Sequence, residues 1–350
     1  MAAEEYLGDE SVGGLKKAVR DAAGGLLYRS GALSLVRPRP GVSVLAYHRV
    51  LRADSPEIET SQAGMFVTEP TFRMHMDHLK NRYRILSLEE FVDILDRGAF
   101  PDRPACLITF DDGWADNYEV AFPVLRDRGM PAVVFLSTAT VGTHEIFWTE
   151  RAARLLSLLY QRSRGAAPKQ SEGVLEPPDL QRLLARKIRR EDFLDRVIED
   201  LKSAHEAERN AFLAELSGLI DDEEKPRAWI MNWDQIEEMA RSGIAFGAHG
   251  HTHRILVGLD PGQMEMEIAE PARIIGEKLG RTPLAFCYPN GDADDPVVQK
   301  VRDAGYRAAF SVEQGVVTPG LDRLRLPRIC LHEGAGNRLG RFACRAAGIG

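Results

Sequence analysis

The chain of 350 residues is 44% hydrophobic and 28% charged, which is typical of a globular protein and excludes a disordered or low-complexity one. Its formal net charge of −7 argues against a general nucleic-acid binder, so nucleic acid is not expected among its partners. The four cysteines include no C-x-x-C pair, which argues against both a disulfide scaffold and a cysteine zinc site.

The first 40 residues differ in composition from the rest of the chain. The opening MAAEEYLGDE is acidic and is not followed by an apolar secretory segment, so a cytoplasmic location is expected. Residues 12–40 carry six basic side chains against one acid, with apolar residues near helical spacing. This pattern predicts an N-terminal helical extension over 1–40, which either packs on the protein body or makes a weak peripheral membrane contact.

Short apolar runs alternate with helical patterns along the rest of the chain. The apolar runs predict buried strands at 42–47, 105–110, 132–136, 244–248, 284–288, 308–311 and 324–331. The helical patterns lie at 71–81, 88–96, 117–127, 233–241, 261–279 and 296–304. Because strands that alternate with helices form parallel sheets, the predicted fold class is α/β, a distorted (β/α) barrel of about seven units. An open doubly wound sheet is the alternative.

One segment, residues 149–228, interrupts this alternation. It is rich in Arg, Glu, Leu and Ala and has little strand character. The pattern predicts a helical insertion in a barrel domain that spans 41–350. Solvated helices are the simplest interpretation of so charged a segment, and a lid over the active site is the alternative hypothesis.

Three polar clusters follow predicted strands. Asp111 and Asp112 come directly after the strand 105–110, where they form either an ordinary Asp-Gly turn or a pair that divides metal binding and base catalysis. Because the carboxyl ends of parallel strands build the active site of a barrel, these residues are candidates for catalysis.

The second cluster is GAHGHTHRIL, where His249, His251 and His253 follow another predicted strand. Three histidines within five positions are rare in a chain with only nine, and a surface loop is the alternative interpretation. Two imidazoles and one carboxylate leave coordination positions for water and substrate, which is typical of a catalytic metal site. The third cluster is His48 after the strand 42–47, which alone is as consistent with a packed core residue as with catalysis.

Several of these motifs together resemble the polysaccharide deacetylases, the family with the NodB-homology domain. TFDDGWADNY is similar to the first motif of that family, GAHGHTHRIL to the second and LAFCYPNGD to the third. YHRV resembles the opening strand of the branch that includes bacterial exopolysaccharide deacetylases. The resemblance covers roughly residues 42–140 and 230–332 and implies a distorted (β/α) barrel.

The resemblance also implies roles for individual residues. Asp111 matches the general base, and the metal ligands would be Asp112, His249 and His253, with Zn²⁺ the usual ion. The turn of Pro289, Asn290 and Gly291 matches the groove wall whose backbone N–H helps to hold the oxyanion. For the general acid, the exopolysaccharide branch points to His48, and the commoner late motif points to His332.

Three positions depart from the family pattern. Gly250 stands where Ser or Thr is usual, so a hydrogen bond that stabilises the loop is expected to be absent. Cys287 stands where many members have an Arg that pairs with the base, so the base is expected to be held differently. Asn290 replaces an aromatic residue, which would alter the sugar subsite.

The leading hypothesis is a metal-dependent hydrolase that removes N-acetyl groups from a sugar. A different His-x-His metallohydrolase, such as a phosphoesterase or an amidohydrolase, is one alternative, and a degenerate carbohydrate-binding protein is another. The sequence does not identify the substrate among a polysaccharide, an oligosaccharide and a lipid-linked precursor.

Overall fold

The computed structural model describes residues 25–26, 28, 30, 40–165, 189–220 and 228–349. Its strands are β1 Val42–Tyr47, β2 Arg49–Leu51, β3 Phe66–Thr68, β4 Arg84–Ile85, β5 Ala105–Phe110, β6 Ala132–Leu136, β7 Ile244–Ala248, β8 Ala285–Cys287, β9 Ala308–Gln314 and β10 Leu326–Cys330. Its helices are α1 Glu69–Arg82, α2 Leu88–Arg97, α3 Phe122–Arg126, α4 Trp148–Gly165, α5 Arg190–Ser203, α6 Glu206–Ile220, α7 Trp233–Arg241, α8 Pro261–Leu279, α9 Asp295–Asp303, α10 Glu333–Gly336 and α11 Leu339–Ala346.

The main sheet is a closed parallel barrel. The strands are hydrogen-bonded in the order β1-β10-β9-β8-β7-β6-β5, and β5 pairs with β1 to close the ring. The predicted distorted (β/α) barrel of about seven units is therefore confirmed, and the open sheet is wrong. Each of the seven predicted strands lies at a barrel strand. The short β2, β3 and β4, of only two or three residues each, were not predicted.

Both faces of the barrel strands are buried, which explains their continuous apolar sequences. Alternate residues of one strand belong to two separate clusters: Val42 and Val44 pack in the barrel interior, and Leu45 and Tyr47 pack under the surrounding helices. Side chains alternate between the two faces of β5, so Asp111 continues the inward-facing series of residues 105, 107 and 109. Its side chain therefore lies at the mouth of the barrel.

The helices around the barrel begin where the sequence provides capping residues. The Ser87 hydroxyl accepts a hydrogen bond from the Glu90 N–H, and the Glu90 carboxylate accepts one from the Ser87 N–H. The Asp260 carboxylate caps α8 in the same manner. The predicted helix 117–127 is divided, because a π-helical turn over 117–121 precedes α3. Helices α10 and α11 follow the last strand and were not predicted.

Helices α4, α5 and α6 lie in the predicted insertion, 149–228, and bury a core of their own. That core includes Leu156, Phe193, Ile198 and Leu216. The division into an extension over 1–40 and a barrel domain over 41–350 stays a prediction. The extension lies almost wholly outside the described residues, so the membrane contact and the cytoplasmic location also stay predictions. In the part of the chain that is described, no helix is both long and apolar enough to cross a membrane.

Candidate active site

A cavity of about 810 Å³ opens at the carboxyl ends of the barrel strands. The residues at its floor come from different strands: His48 follows β1, Asp111 and Asp112 follow β5, and His249 follows β7. Parallel strands bring these ends together although the residues are as much as 200 positions apart in sequence.

Asp112, His249 and His253 form a compact group whose ligand atoms lie within 4.8 Å of one another. The Asp112 Oδ1 atom lies 3.4 Å from His249 Nε2 and 3.2 Å from His253 Nε2. Oδ1 is buried and has no hydrogen-bond partner among the described residues. A buried carboxylate oxygen left without a partner beside two imidazole nitrogens fits a divalent cation, and these donor types suit zinc.

Neighbouring groups orient two of the three side chains of this group, those of Asp112 and His249. The Trp114 indole N–H donates to Asp112 Oδ2 at 2.8 Å, and His249 Nδ1 donates to the Cys287 carbonyl at 2.8 Å. The Nε2 atoms of His249 and His253 both face the Asp112 carboxylate. Hydrogen bonds of this kind fix the tautomer and the orientation of metal-binding side chains.

Asp112 and His253 both have a positive φ, of 75° and 62°, although neither is glycine. Such a backbone is unfavourable for residues with a side chain and occurs mainly at functional sites. This strained backbone brings the Asp112 carboxylate and the His253 imidazole together.

The loop after β7 is held by Glu267 of α8, which sequence analysis did not identify. The buried Glu267 carboxylate accepts hydrogen bonds from the His251 and Thr252 N–H groups, at 2.8 and 2.9 Å, and from the Thr252 hydroxyl. A Cβ at Gly250, whose φ is 76°, would lie 2.9 Å from Glu267 Oε2. Glycine therefore admits the carboxylate. Position 250 has no side chain to make the hydrogen bond of Ser or Thr, and Glu267 stabilises the loop instead.

Asp111 is paired with Arg328 of β10. The two groups are 2% and 1% exposed, and both guanidinium N–H contacts to the Asp111 oxygens measure 2.8 Å. Burial alone would raise the pKa of Asp111, but the Arg328 guanidinium lowers it to about 2. The base is thus held differently from the usual family pattern, as Cys287 led us to expect, because its arginine comes from another strand.

The two candidate acids lie in different places. His48 lines the cavity, is 23% exposed and has Nε2 3.7 Å from Asp111 Oδ2. His332 lies at the start of α10 and is not among the residues that line the cavity. His251 also lies outside this lining, with Nδ1 2.9 Å from the Thr138 hydroxyl, so the structure pairs His249 with His253 and not with His251.

The turn Pro289–Gly291 lies at the edge of the site. Pro289 and Asn290 line the cavity, and Asn290 has a φ of 59°. Gly291 is not among the lining residues, and its N–H donates to the Tyr288 carbonyl at 2.9 Å, which closes the turn. The Asn290 side chain donates to Asp292 at 2.6 Å.

A buried ionic cluster joins the insertion to the site. Arg49 donates to Asp116 at 2.9 Å and to Glu150 of α4 at 2.6 Å, and it stacks over the Trp114 ring at 4.7 Å. Since Trp114 in turn donates to Asp112, this cluster supports the metal-binding group. Residues of α4, α5 and α6 also line the cavity, so the insertion forms one of its walls.

Comparison with known proteins agrees with this geometry. The sequence profile described as polysaccharide deacetylase matches residues 100–185 and 201–309, more than half of the chain. The chain therefore belongs to the polysaccharide deacetylase family. Its enzyme class is polysaccharide N-deacetylase, a hydrolase that acts on C–N bonds.

Individual relatives are distant in sequence. The poly-beta-1,6-N-acetyl-D-glucosamine N-deacetylase of Staphylococcus epidermidis is 22% identical over 312 residues, which cover 83% of this chain and 79% of the relative. The solved structure of Streptococcus pyogenes deacetylase PplD in complex with acetate is 19% identical, with a TM-score of 0.56 over 85% of this chain and 94% of that one. IcaB from Ammonifex degensii is 20% identical, with a TM-score of 0.55 over 88% and 97%. The two solved structures share the fold.

Proposed function

We propose that the protein is a metal-dependent hydrolase that removes N-acetyl groups from an N-acetylated sugar. The observation that carries this proposal is the convergence of Asp111, Asp112, His249 and His253 at the floor of one cavity. A metal-binding group and an adjacent carboxylate that is not needed as a ligand are the two parts that a metal-assisted hydrolysis of an amide uses.

Asp112, His249 and His253 would hold the ion, and Zn²⁺ is the proposed one. One carboxylate and two neutral imidazoles are donors that zinc accepts, and three protein ligands are typical of its catalytic sites. When bound, the ion would polarise the acetyl carbonyl and make water a stronger nucleophile.

Asp111 is the proposed general base. Its carboxylate stays ionised at neutral pH because Arg328 lowers its pKa to about 2, and it can therefore accept a proton from the attacking water. The same cation makes the carboxylate a weaker base. Arg328 thus keeps the Asp111 carboxylate ionised and holds it in one orientation, although it does not make the carboxylate strongly basic.

His48 is the proposed general acid, which would protonate the sugar amine as the C–N bond breaks. It is supported by its place in the cavity and by the distance of 3.7 Å between His48 Nε2 and Asp111 Oδ2. The Asn290 backbone N–H is the proposed donor to the developing oxyanion, supported by the position of Asn290 in the cavity wall.

The proposed substrate is an N-acetylglucosamine polymer or oligomer, or a lipid-linked precursor that carries this sugar. The name of the Staphylococcus epidermidis relative supports this sugar. A cavity of about 810 Å³, open at the strand ends, is large enough for a disaccharide.

Acetate release from a panel of N-acetylglucosamine oligomers tests the proposal. The metal-loaded protein is expected to release acetate, and Asp111→Asn is expected to release none while it retains its metal. Full turnover by Asp111→Asn would refute the base. The acid is tested in the same assay, because activity in His48→Ala together with its loss in His332→Ala would transfer that role to His332.

A further inference from the structure

The cavity lining includes two arginines outside the candidate metal-binding group, one from the insertion and one from the loop after β7. Arg209 of α6 and Arg254, the residue after His253, both line the cavity. Arg254 lies 3.5 Å from the Glu206 carboxylate, which is also the acidic group that acts on Arg209. Two guanidinium groups therefore share one carboxylate in a chain whose net charge is −7.

Arg209 is partly buried and incompletely partnered. Its guanidinium stacks over the Trp148 ring at 4.4 Å, and its Nε is buried without a hydrogen-bond partner among the described residues. Burial and the neighbouring Arg254 both lower the pKa of Arg209, and Glu206 only partly offsets them. An anion at this place would relieve the unfavourable charge.

Stacking on Trp148 alone would be consistent with a purely structural role for Arg209. Other arginines of the protein, however, form ion pairs with carboxylates. Arg273 on the outer surface contacts both Glu270 and Glu277, at 2.5 and 2.6 Å, and Arg189 contacts Asp192 at 2.8 Å. Within residues 40–165, 189–220 and 228–349, Arg209 forms no ion pair of this kind. Its guanidinium is stacked on an aromatic ring, has an unpartnered Nε among the described residues and belongs to the lining of the cavity.

We propose that Arg209 and Arg254 form a subsite for an anionic group of the substrate, a phosphate or a carboxylate carried by the N-acetylated sugar. The guanidinium fork suits both groups, since each presents two oxygens to parallel N–H donors. This inference rests on the proposed function and specifies its substrate class: N-acetylated sugars with a negative charge near the acetamido group.

Isothermal titration of the metal-loaded protein tests the subsite. The ligands are N,N′-diacetylchitobiose, its 1-phosphate, and a disaccharide of N-acetylglucosamine and glucuronic acid. Wild-type protein is expected to bind a charged ligand about tenfold or more tightly than the neutral one, as loss of a charged hydrogen bond implies. Preference for the phosphate or for the carboxylate identifies the source of the charge.

The matched variants are Arg209→Gln, Arg209→Lys and Arg196→Gln. Arg209→Gln is expected to lose most of the preference and Arg209→Lys to retain part of it. Arg196 is an exposed cation of α5 that does not line the cavity, so Arg196→Gln is expected to change nothing. If Arg209→Gln fails to fold, as judged by circular dichroism, Arg254→Gln replaces it with the same expectation.

Equal binding of neutral and charged ligands by wild-type protein would overturn the subsite. So would an equal loss of preference in Arg209→Gln and Arg196→Gln, which would indicate only a general effect of charge. Acetate release is measured separately on the same three ligands. If none is cleaved, the proposed function fails, while the binding preference still decides whether the anion subsite exists.

Discussion

Replacement of Arg328 by Gln tests the buried pair beneath the catalytic centre. Arg328 and Asp111 are 1% and 2% exposed, and the substitution leaves the Asp111 carboxylate buried without its cation. Removal of one partner from such a pair costs about 3–5 kcal/mol, because the remaining charge is not solvated. Arg328→Lys keeps the charge but not the fork with two contacts of 2.8 Å, so a smaller loss is expected.

Urea unfolding at pH 7 of the metal-loaded proteins measures these losses. The exposed pair of Arg84 and Glu90, at 2.6 Å, provides the control, and Arg84→Gln is expected to cost less than about 1 kcal/mol. The double variant Asp111→Asn, Arg328→Gln is expected to lose less than the sum of the single variants, since it leaves no unpaired buried charge. A loss in Arg328→Gln no greater than in Arg84→Gln would refute the reasoning.

Three further predictions concern the supporting residues. Glu267→Gln removes the charge that holds the loop after β7. Like other changes to groups that support metal ligands, it is expected to weaken metal binding about tenfold to a hundredfold, measured by competition with a chelator. Unchanged metal affinity would count against this role of Glu267. Trp114→Phe removes the indole donor to Asp112, and the same assay is expected to show a loss in the same range. His75, whose pKa burial lowers to about 4, is neutral in the folded protein. Because the unfolded chain takes up a proton at a pKa of about 6.5 and the folded protein does not, the free energy of unfolding falls as pH drops from 6.5 towards 4. The loss is at most about 3 kcal/mol. Thermal melts of His75→Gln from pH 7 to 4 should show a shallower decline than wild type, and parallel curves would exclude this contribution.

The barrel could be predicted from the sequence because its strands are buried on both faces. Runs such as 105–110, apart from Thr109, and 244–248 are apolar, and polar residues follow them directly at the active end. The short β2 and β4 have no such pattern and are defined only by pairing with neighbours. Helices α10 and α11 escaped prediction because α10 has only four residues, two of them glycine, and neither begins at a side chain that caps it.

The candidate site was less accessible to sequence reasoning where it depends on partners that are far apart in the chain. Arg328 lies 217 positions from Asp111, and the signal it gives, a cation in the middle of an apolar strand, does not reveal the partner. Glu267 gives an even weaker signal, because a glutamate on an amphipathic helix is ordinarily exposed. The motifs predicted the candidate metal-binding residues, whereas the residues that hold them in place needed the register of the strands.

The central claim is that Asp112, His249 and His253 bind one divalent ion beside Asp111. Anomalous diffraction from crystals grown with Zn²⁺ tests it most directly. One peak is expected, about 2.0–2.2 Å from an Asp112 oxygen and from Nε2 of both histidines. A second group in the same region, formed by Asp111, His249 and Cys287, also has ligand atoms close enough for a metal. A peak bonded to that group, or bonded to neither, would contradict the account.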